Sequence, residues 1–414
     1  MRFLMENAFR DFISELQQTR VFQLPRFIEH FEKAFEREGF RSNVPNNPPH
    51  ILVIRLDAIG DNVLNSGFLR ELRRNYPLAR ITLCVNPVVR SFVELCPYVN
   101  EVIAVSDSRD LLIWLQAAMQ LCREKLWRER FDMCFIPRWG TDYYFATMLG
   151  FLSGAKNRIA YSVNVNPMKA RNNVGNDLLL NTGGGLINPP MLVHECDLNM
   201  FVLRAAGLTV QDTRNEVWLS HADRNCAEEL MADFVRERRA ITVACCSMEH
   251  NKNYPPELFA QALKLISAKD NCCFVFVGGK ADTEAGEYLR RELGEHILLN
   301  LAGRTTLRET GAAIELTSLY LGSDTSSAHI AAALQKPVVT LNRESIENKS
   351  PISHVPHFSP WQTKSIIIRP KQFLEPCKSH PSPSGCGCAM PVPHCITQIK
   401  PIEIAEAFDK ILSQ

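Results

Sequence analysis

The sequence contains no long apolar run: nowhere does it reach the roughly 18 uninterrupted apolar residues that a membrane-spanning helix needs. Neither sign of charge prevails. The 46 Lys and Arg residues face 45 Asp and Glu residues, for a formal net charge of +1. That balance lacks the electrostatic footprint of a nucleic-acid binder. The local basic cluster "RELRR" (70–74) reads as a solvated helix face. The G-x-G-x-x-G fingerprint of a nicotinamide-binding domain is also missing. The start, "MRFLMENAFRDF", carries acids early and no long apolar core, so no secretory signal is expected. The 14 cysteines then point to a reducing cytoplasm, where thiols stay free or bind metal.

What is present is a chain of 414 residues, too long for one ordinary core, so two domains are expected. Apolar residues make up 46% and charged residues 22%, the profile of a soluble globular protein. Residues 1–40 read as two amphipathic helices, with Phe9, Phe12, Ile13 and Leu16 on one stripe and Phe27, Phe31 and Phe35 on the other. Such stripes need cover, either from the main body or from another subunit, which makes a homo-oligomer through these helices one expectation. "RSNVPNNPPH" (41–50) is a linker. From residue 51 strand, loop and helix alternate, the pattern of a parallel sheet covered on both faces. A second such set follows the bridge at 209–239. The expected division is 1–49 helical extension and linker, 50–210 and 211–370 two α/β domains, 371–396 a Cys-rich loop and 397–414 a final helix.

In open α/β sheets ligands bind beyond the carboxyl ends of the strands. Three strand-to-helix passages in the second set carry suitable chemistry. In "LGSDTSSAHIAAALQKP" Asp324 can cap the helix that follows, Thr325, Ser326 and Ser327 leave its first turn uncrowded, and His329 lies one turn in. Free N–H groups and the positive end of the helix dipole make an anion site there. In "CCSMEHNKNYPPELF" Ser247 and Lys252 offer a hydroxyl and a compact positive charge. In "FVGGKADTEAGEYL" Gly278 and Gly279 permit close approach, and Glu284 suits ribose hydroxyls. In the first set, "ILVIRLDAIGDNVL" places Asp57, Gly60 and Asp61 on the first strand-to-helix turn, with Asp61 either a helix cap or a carboxylate aimed at substrate.

With these pieces in order, the sequence resembles the heptosyltransferase family (glycosyltransferase family 9) from about 51 to 414. "ILVIRLDAIGDNVLNSGFLRELRRNYPLARITLCV", "LVHECDLNMFVLRAAGL", "NKNYPPELFAQAL", "LAGRTTLRETGAAI" and "LGSDTSSAHIAAALQKPVVTL" are similar to successive blocks of that family. The resemblance implies the GT-B fold, two Rossmann-like doubly wound domains facing across a cleft. It implies an inverting glycosyltransferase, with a nucleotide sugar such as ADP-heptose as donor and a lipid-linked, lipopolysaccharide-type or protein acceptor. Asp61 matches the proposed catalytic base. Lys252, Asp324, Thr325, Ser326 and His329 match positions that handle the donor diphosphate, and Ser247 and Glu284 match donor-side positions too. Two departures stand out. Ser326 replaces a usual Gly, where a positive φ would strain a serine. "LNRESIENKSP" replaces a usual Gly-Pro-Thr turn.

"CKSHPSPSGCGCAMPVPHC" gathers Cys377, Cys386, Cys388 and Cys395 in a short loop, a set that suits one structural Fe or Zn ion. It resembles the loop of a subgroup that glycosylates autotransporters and is described with iron there. Two rival readings remain on the sequence alone: a nucleotide-sugar epimerase on the same fold, and a non-catalytic partner protein.

Overall fold

The computed structural model describes residues 3–19, 22–40, 45–181, 184–235, 238–348, 353–372, 374–375 and 393–413. The chain forms two compact units. One comprises Met1–Ala58, Gly67–Leu192 and Cys196–Thr213; the other comprises Ile59–Ser66, Val193–Glu195 and Arg214–Gln414. The short helix Ile59–Leu64, which carries Asp61, therefore packs with the second unit although the strand before it belongs to the first.

The first unit is built on a parallel sheet of β1 (His50–Arg55), β2 (Arg80–Val85), β3 (Glu101–Ala104), β4 (Met133–Ile136) and β5 (Asn157–Ala160), in the order β3-β2-β1-β4-β5. The second holds β6 (Arg239–Ala244), β7 (Cys272–Phe276), β8 (Leu298–Asn300), β9 (Leu319–Ser323), β10 (Val338–Leu341) and β11 (Ser365–Ile368). Their order is β11-β10-β9-β6-β7-β8, again all parallel. The continuous apolar runs have the physical cause expected of them: every residue of β7 and β9 is buried, because helices cover both faces. The strand order reverses between β1 and β4 and between β6 and β9. Loops leave these neighbours in opposite directions and open a crevice at the carboxyl edge.

The two N-terminal helices, Phe3–Thr19 and Leu24–Arg37, find their cover inside the first unit. Phe12, Phe27, Phe31 and Phe35 are buried in one cluster with Leu52 and Ile54 of β1 and with Phe151. The Phe31 and Phe35 rings lie 6.3 and 5.9 Å from that of Phe151. Gly154, at φ +74°, admits Phe40 to the same cluster; a Cβ there would stand 2.6 Å from its ring. Phe12, Phe27, Phe31 and Phe35 thus find their cover within the unit. At the other end of the chain, the helix Pro401–Ser413 buries Ile404, Phe408 and Ile411 in the core of the second unit, and Tyr254 Oη donates to the Ile399 carbonyl at 2.7 Å just before it.

Phe31→Ala is expected to lower stability by about 3–5 kcal/mol through the cavity it leaves. Denaturant unfolding checks this; an unchanged midpoint shows that the N-terminal helices lie outside the folded core.

Candidate functional site

The loops that leave β6, β9 and β10 converge on one buried carboxylate, that of Asp324, directly after β9. Its Oδ2 lies 3.7 Å from Lys252 Nζ and 3.3 Å from His354 Nδ1, and accepts from Asn342 Nδ2 at 3.4 Å. Burial works against ionisation, but His354, Lys252, His329 and Arg343 outweigh it and hold the carboxyl below its ordinary range. Asp324 does not cap the following helix as expected. The carboxylate turns into the loops instead, and the N-cap of Ser326–Ala333 is Thr325, whose side chain makes no capping bond. Among the described residues, the N–H groups of Ser326 and Ser327 have no acceptor. Free N–H groups at a helix start form an anion site. Ser326 itself lies in the helix and is absent from the positive-φ residues, so the strain expected of a serine there does not arise.

Lys252 is not a solvated loop lysine. Its side chain is only 12% exposed, and Nζ lies 3.1 Å from Glu249 Oε1. Glu249 Oε2 in turn lies 3.0 Å from Arg343 Nη1. Ser247 shapes this loop: its N–H donates to Asn253 Oδ1 at 2.6 Å, and its Oγ accepts from the Glu249 N–H at 3.1 Å. His354 is placed by Glu344, whose carboxylate accepts from the N–H groups of His354 and Val355 and from Ser353 Oγ. Burial pushes the His354 imidazole down to about 4, against the pull of Asp324. It is neutral at pH 7, with Nδ1 facing Asp324 Oδ2.

His329 faces the turn that carries Asp61. Gly60 makes that approach possible, since a Cβ there would come within 2.9 Å of His329 Cδ2 and 3.7 Å of Ser326 Cα. His329 is buried, its Nδ1 has no partner, and burial lowers its pKa although Asp324 and Asp61 act in the other direction. Asp61 sits half-buried in the first turn of Ile59–Leu64. The structure thus brings Asp61, Lys252, Asp324, Thr325, Ser326 and His329 to one edge of the second unit. Glu284 is exposed in the first turn of Thr283–Leu293, and among the described residues no bond ties it to this network. Of the cysteine loop, Cys377, Cys386 and Cys388 lie outside the described residues, and Cys395 is a free, half-buried thiol. No group of three or more potential metal ligands occurs among the described residues.

Sequence reasoning overlooked Glu249, Arg343, Glu344 and His354. The first three sit in stretches already marked as loops, where a charged residue is ordinarily solvated. His354 lies far along the chain and had no local signal. A second cluster, of which the sequence singled out only Asp57, belongs to the first unit, at its own reversal point. Asp57, after β1, lies between Arg55 Nε at 2.8 Å and Arg138 Nη1 at 3.2 Å, the latter from the loop after β4. Lys169 is buried nearby, with Nζ on the Arg138 carbonyl at 2.7 Å, and burial lowers it to about 8.

The neutral histidines make stability depend on pH. His194, stacked on Trp361 and bonded through Nε2 to the Ser359 carbonyl, is lowered by burial to about 4, as His354 is. An unfolded chain protonates both near 6.5, so between about pH 6.5 and 4 it binds more protons than the folded chain does. Stability is therefore full above that window and falls as pH drops through it, by on the order of 3 kcal/mol per histidine. Melting temperatures across this range are expected to fall less steeply for His194→Gln than for the unaltered chain; identical slopes contradict a buried neutral His194.

Comparison with known proteins bears on the fold and the family. The model of glycosyltransferase family 9 (heptosyltransferase) matches residues 187–386, a range that includes Lys252, Asp324, Thr325, Ser326 and His329. The lipopolysaccharide core heptosyltransferase OpsX of Haemophilus influenzae is 23% identical over 300 residues, covering 71% of this chain and 79% of that protein. A family 9 glycosyltransferase from Veillonella parvula superposes with a TM-score of 0.70 at 18% identity, over 89% of this chain and 99% of that one. The Escherichia coli ADP-heptose lps heptosyltransferase II gives 0.62 at 20% identity, over 88% and 99%. The two parallel sheets are those of the GT-B glycosyltransferases, and residues 187–386 match the model of glycosyltransferase family 9 (heptosyltransferase).

Proposed function

We propose that this enzyme transfers a heptose from ADP-heptose to a hydroxyl of a lipopolysaccharide-type acceptor, with inversion at the anomeric carbon. The observation that carries the reading is the meeting of Lys252 and Asp324 at the β6/β9 reversal, beside an uncapped helix start whose His329 touches the turn of Asp61. The names of relatives that act on ADP-heptose and on lipopolysaccharide support the choice of donor and acceptor.

In this reading the diphosphate lies against the free N–H groups of Ser326 and Ser327, with Thr325 beside them and Lys252 as counter-charge. Asp324 holds Lys252 in place. Asp61 removes the proton of the acceptor hydroxyl; the oxygen attacks the anomeric carbon, and the bond to the diphosphate breaks with ADP taking the electron pair. Charge grows on the leaving group as that bond lengthens, so fixed N–H dipoles and a lysine there stabilise the transition state more than the ground state. His329 is neutral under these conditions and positions the Asp61 turn. The Arg55–Asp57–Arg138 cluster holds two guanidinium groups against one carboxylate, which suits an anionic acceptor. The loop Cys377, Cys386, Cys388 and Cys395 would hold one structural iron or zinc ion through thiolates, which takes no part in the transfer. Elemental analysis is expected to find a single tightly held metal ion, absent from a Cys386→Ser/Cys388→Ser variant.

Asp61→Ala is expected to abolish transfer, at least about 100-fold in kcat, with ADP affinity nearly unchanged. Lys252→Ala is expected to weaken ADP binding by about tenfold or more. Product formation by mass spectrometry and calorimetric titration read the two effects separately. Retained transfer in the first variant removes Asp61 from the mechanism, and a donor altered without any acceptor would mark an epimerase instead.

A further inference from the structure

A carboxylate of the chain itself stands where an anionic ligand would find its cations. Glu249 sets one oxygen 3.1 Å from Lys252 Nζ and the other 3.0 Å from Arg343 Nη1. A phosphoryl group bridges a lysine and an arginine in the same way, one oxygen to each. The three side chains differ in exposure. Lys252 and Arg343 are 12% and 9% exposed, whereas Glu249 is 49% exposed. The cations are fixed in the loops after β6 and β10, and the acid lies on their solvent side.

Charge balance gives this arrangement a consequence. Among these four side chains, two cations meet two carboxylates. Asp324 is buried among Asn342, His354 and Lys252 and cannot leave without exposing its partners to a desolvated gap. Glu249 can leave: it is half exposed, and water replaces what it loses. With Glu249 turned away, two cations face one carboxylate, and the edge becomes attractive to a diphosphate. Arg343 comes from "LNRESIENKSP", the stretch that departs from the turn expected of the family. The departure therefore brings a guanidinium to the edge.

Resting on the reading of Lys252 as a donor residue, we infer that Arg343 is a second binding residue for the donor diphosphate and that Glu249 is an internal stand-in for it, pairing Lys252 with Arg343 until the diphosphate displaces it. The donor then binds by exchange of one anion for another, and Glu249 lowers the apparent affinity for every ligand that carries the diphosphate. Ligands without it do not meet this competition.

Calorimetric titration of the full chain with ADP and with adenosine tests this. Glu249→Gln keeps the shape and removes the charge; it is expected to bind ADP about two- to fivefold more tightly. Arg343→Ala is expected to bind ADP about tenfold more weakly. Adenosine affinity is expected to be the same in all three proteins. A thermal melt of each variant accompanies the titration, and tightening by Glu249→Gln is an effect that damage to the loop would not produce. Unchanged or weaker ADP binding in Glu249→Gln overturns the stand-in, and unchanged binding in a folded Arg343→Ala overturns the second binding residue. If the unaltered chain binds no ADP, or Lys252→Ala binds it equally well, the donor site itself is wrong rather than this inference.

Discussion

A carboxylate removed from water must be met by donors or cations, and Asp324 is the place where this requirement organises the second unit. Its three partners come from three separate stretches: Lys252 after β6, Asn342 after β10 and His354 beyond. Each is drawn in because a buried unpaired charge costs several kcal/mol. The same demand turns the carboxylate away from the helix it precedes. The helix start is left without a side-chain cap, and its N–H groups stay available to something else. One residue thus gathers the loops and vacates the position that an anion would take.

The approach of Ile59–Leu64 to Ser326–Ala333 is a second constraint, and it is steric. It depends on a hydrogen at Gly60 where any other residue has a carbon. His329, buried with an unpartnered Nδ1, is the surface that this turn meets. Tight backbone contact and a buried imidazole together set where the Asp61 turn stands against the start of Ser326–Ala333.

Much of the fold was legible because buried parallel strands read as continuous apolar runs. β1, β2, β6, β7, β9 and β10 all announce themselves in this way. Three strands did not: β5, β8 and β11 are edge strands of four, three and four residues. Their sequences are short, so composition carries little signal. The site was legible where a motif joins a strand to a helix, as at 324–329. It was not legible where function depends on pairing across loops. Lys252 looks like any loop lysine until Asp324 and Glu249 are seen beside it, and nothing near His354 in the sequence points back thirty residues to Asp324. The assignment of Asp324 as a cap failed for the same reason: local propensity offered one partner, and tertiary structure offered three better ones. The cover of the N-terminal helices was likewise undecidable from their stripes alone, because a phenylalanine face fits a neighbouring helix or another subunit equally well.

The bare start of Ser326–Ala333 ties the folded state to its surroundings. A helix whose first turn lacks a side-chain acceptor gives up about 1 kcal/mol that a serine or aspartate cap supplies elsewhere. An anion arriving there completes the helix as well as the site. Ligand occupancy and conformational stability are then linked by mass action, a gain of about 2.7 kcal/mol at a hundredfold excess over the dissociation constant. The resistance of this protein to unfolding and proteolysis would rise and fall with the supply of any anion that binds there.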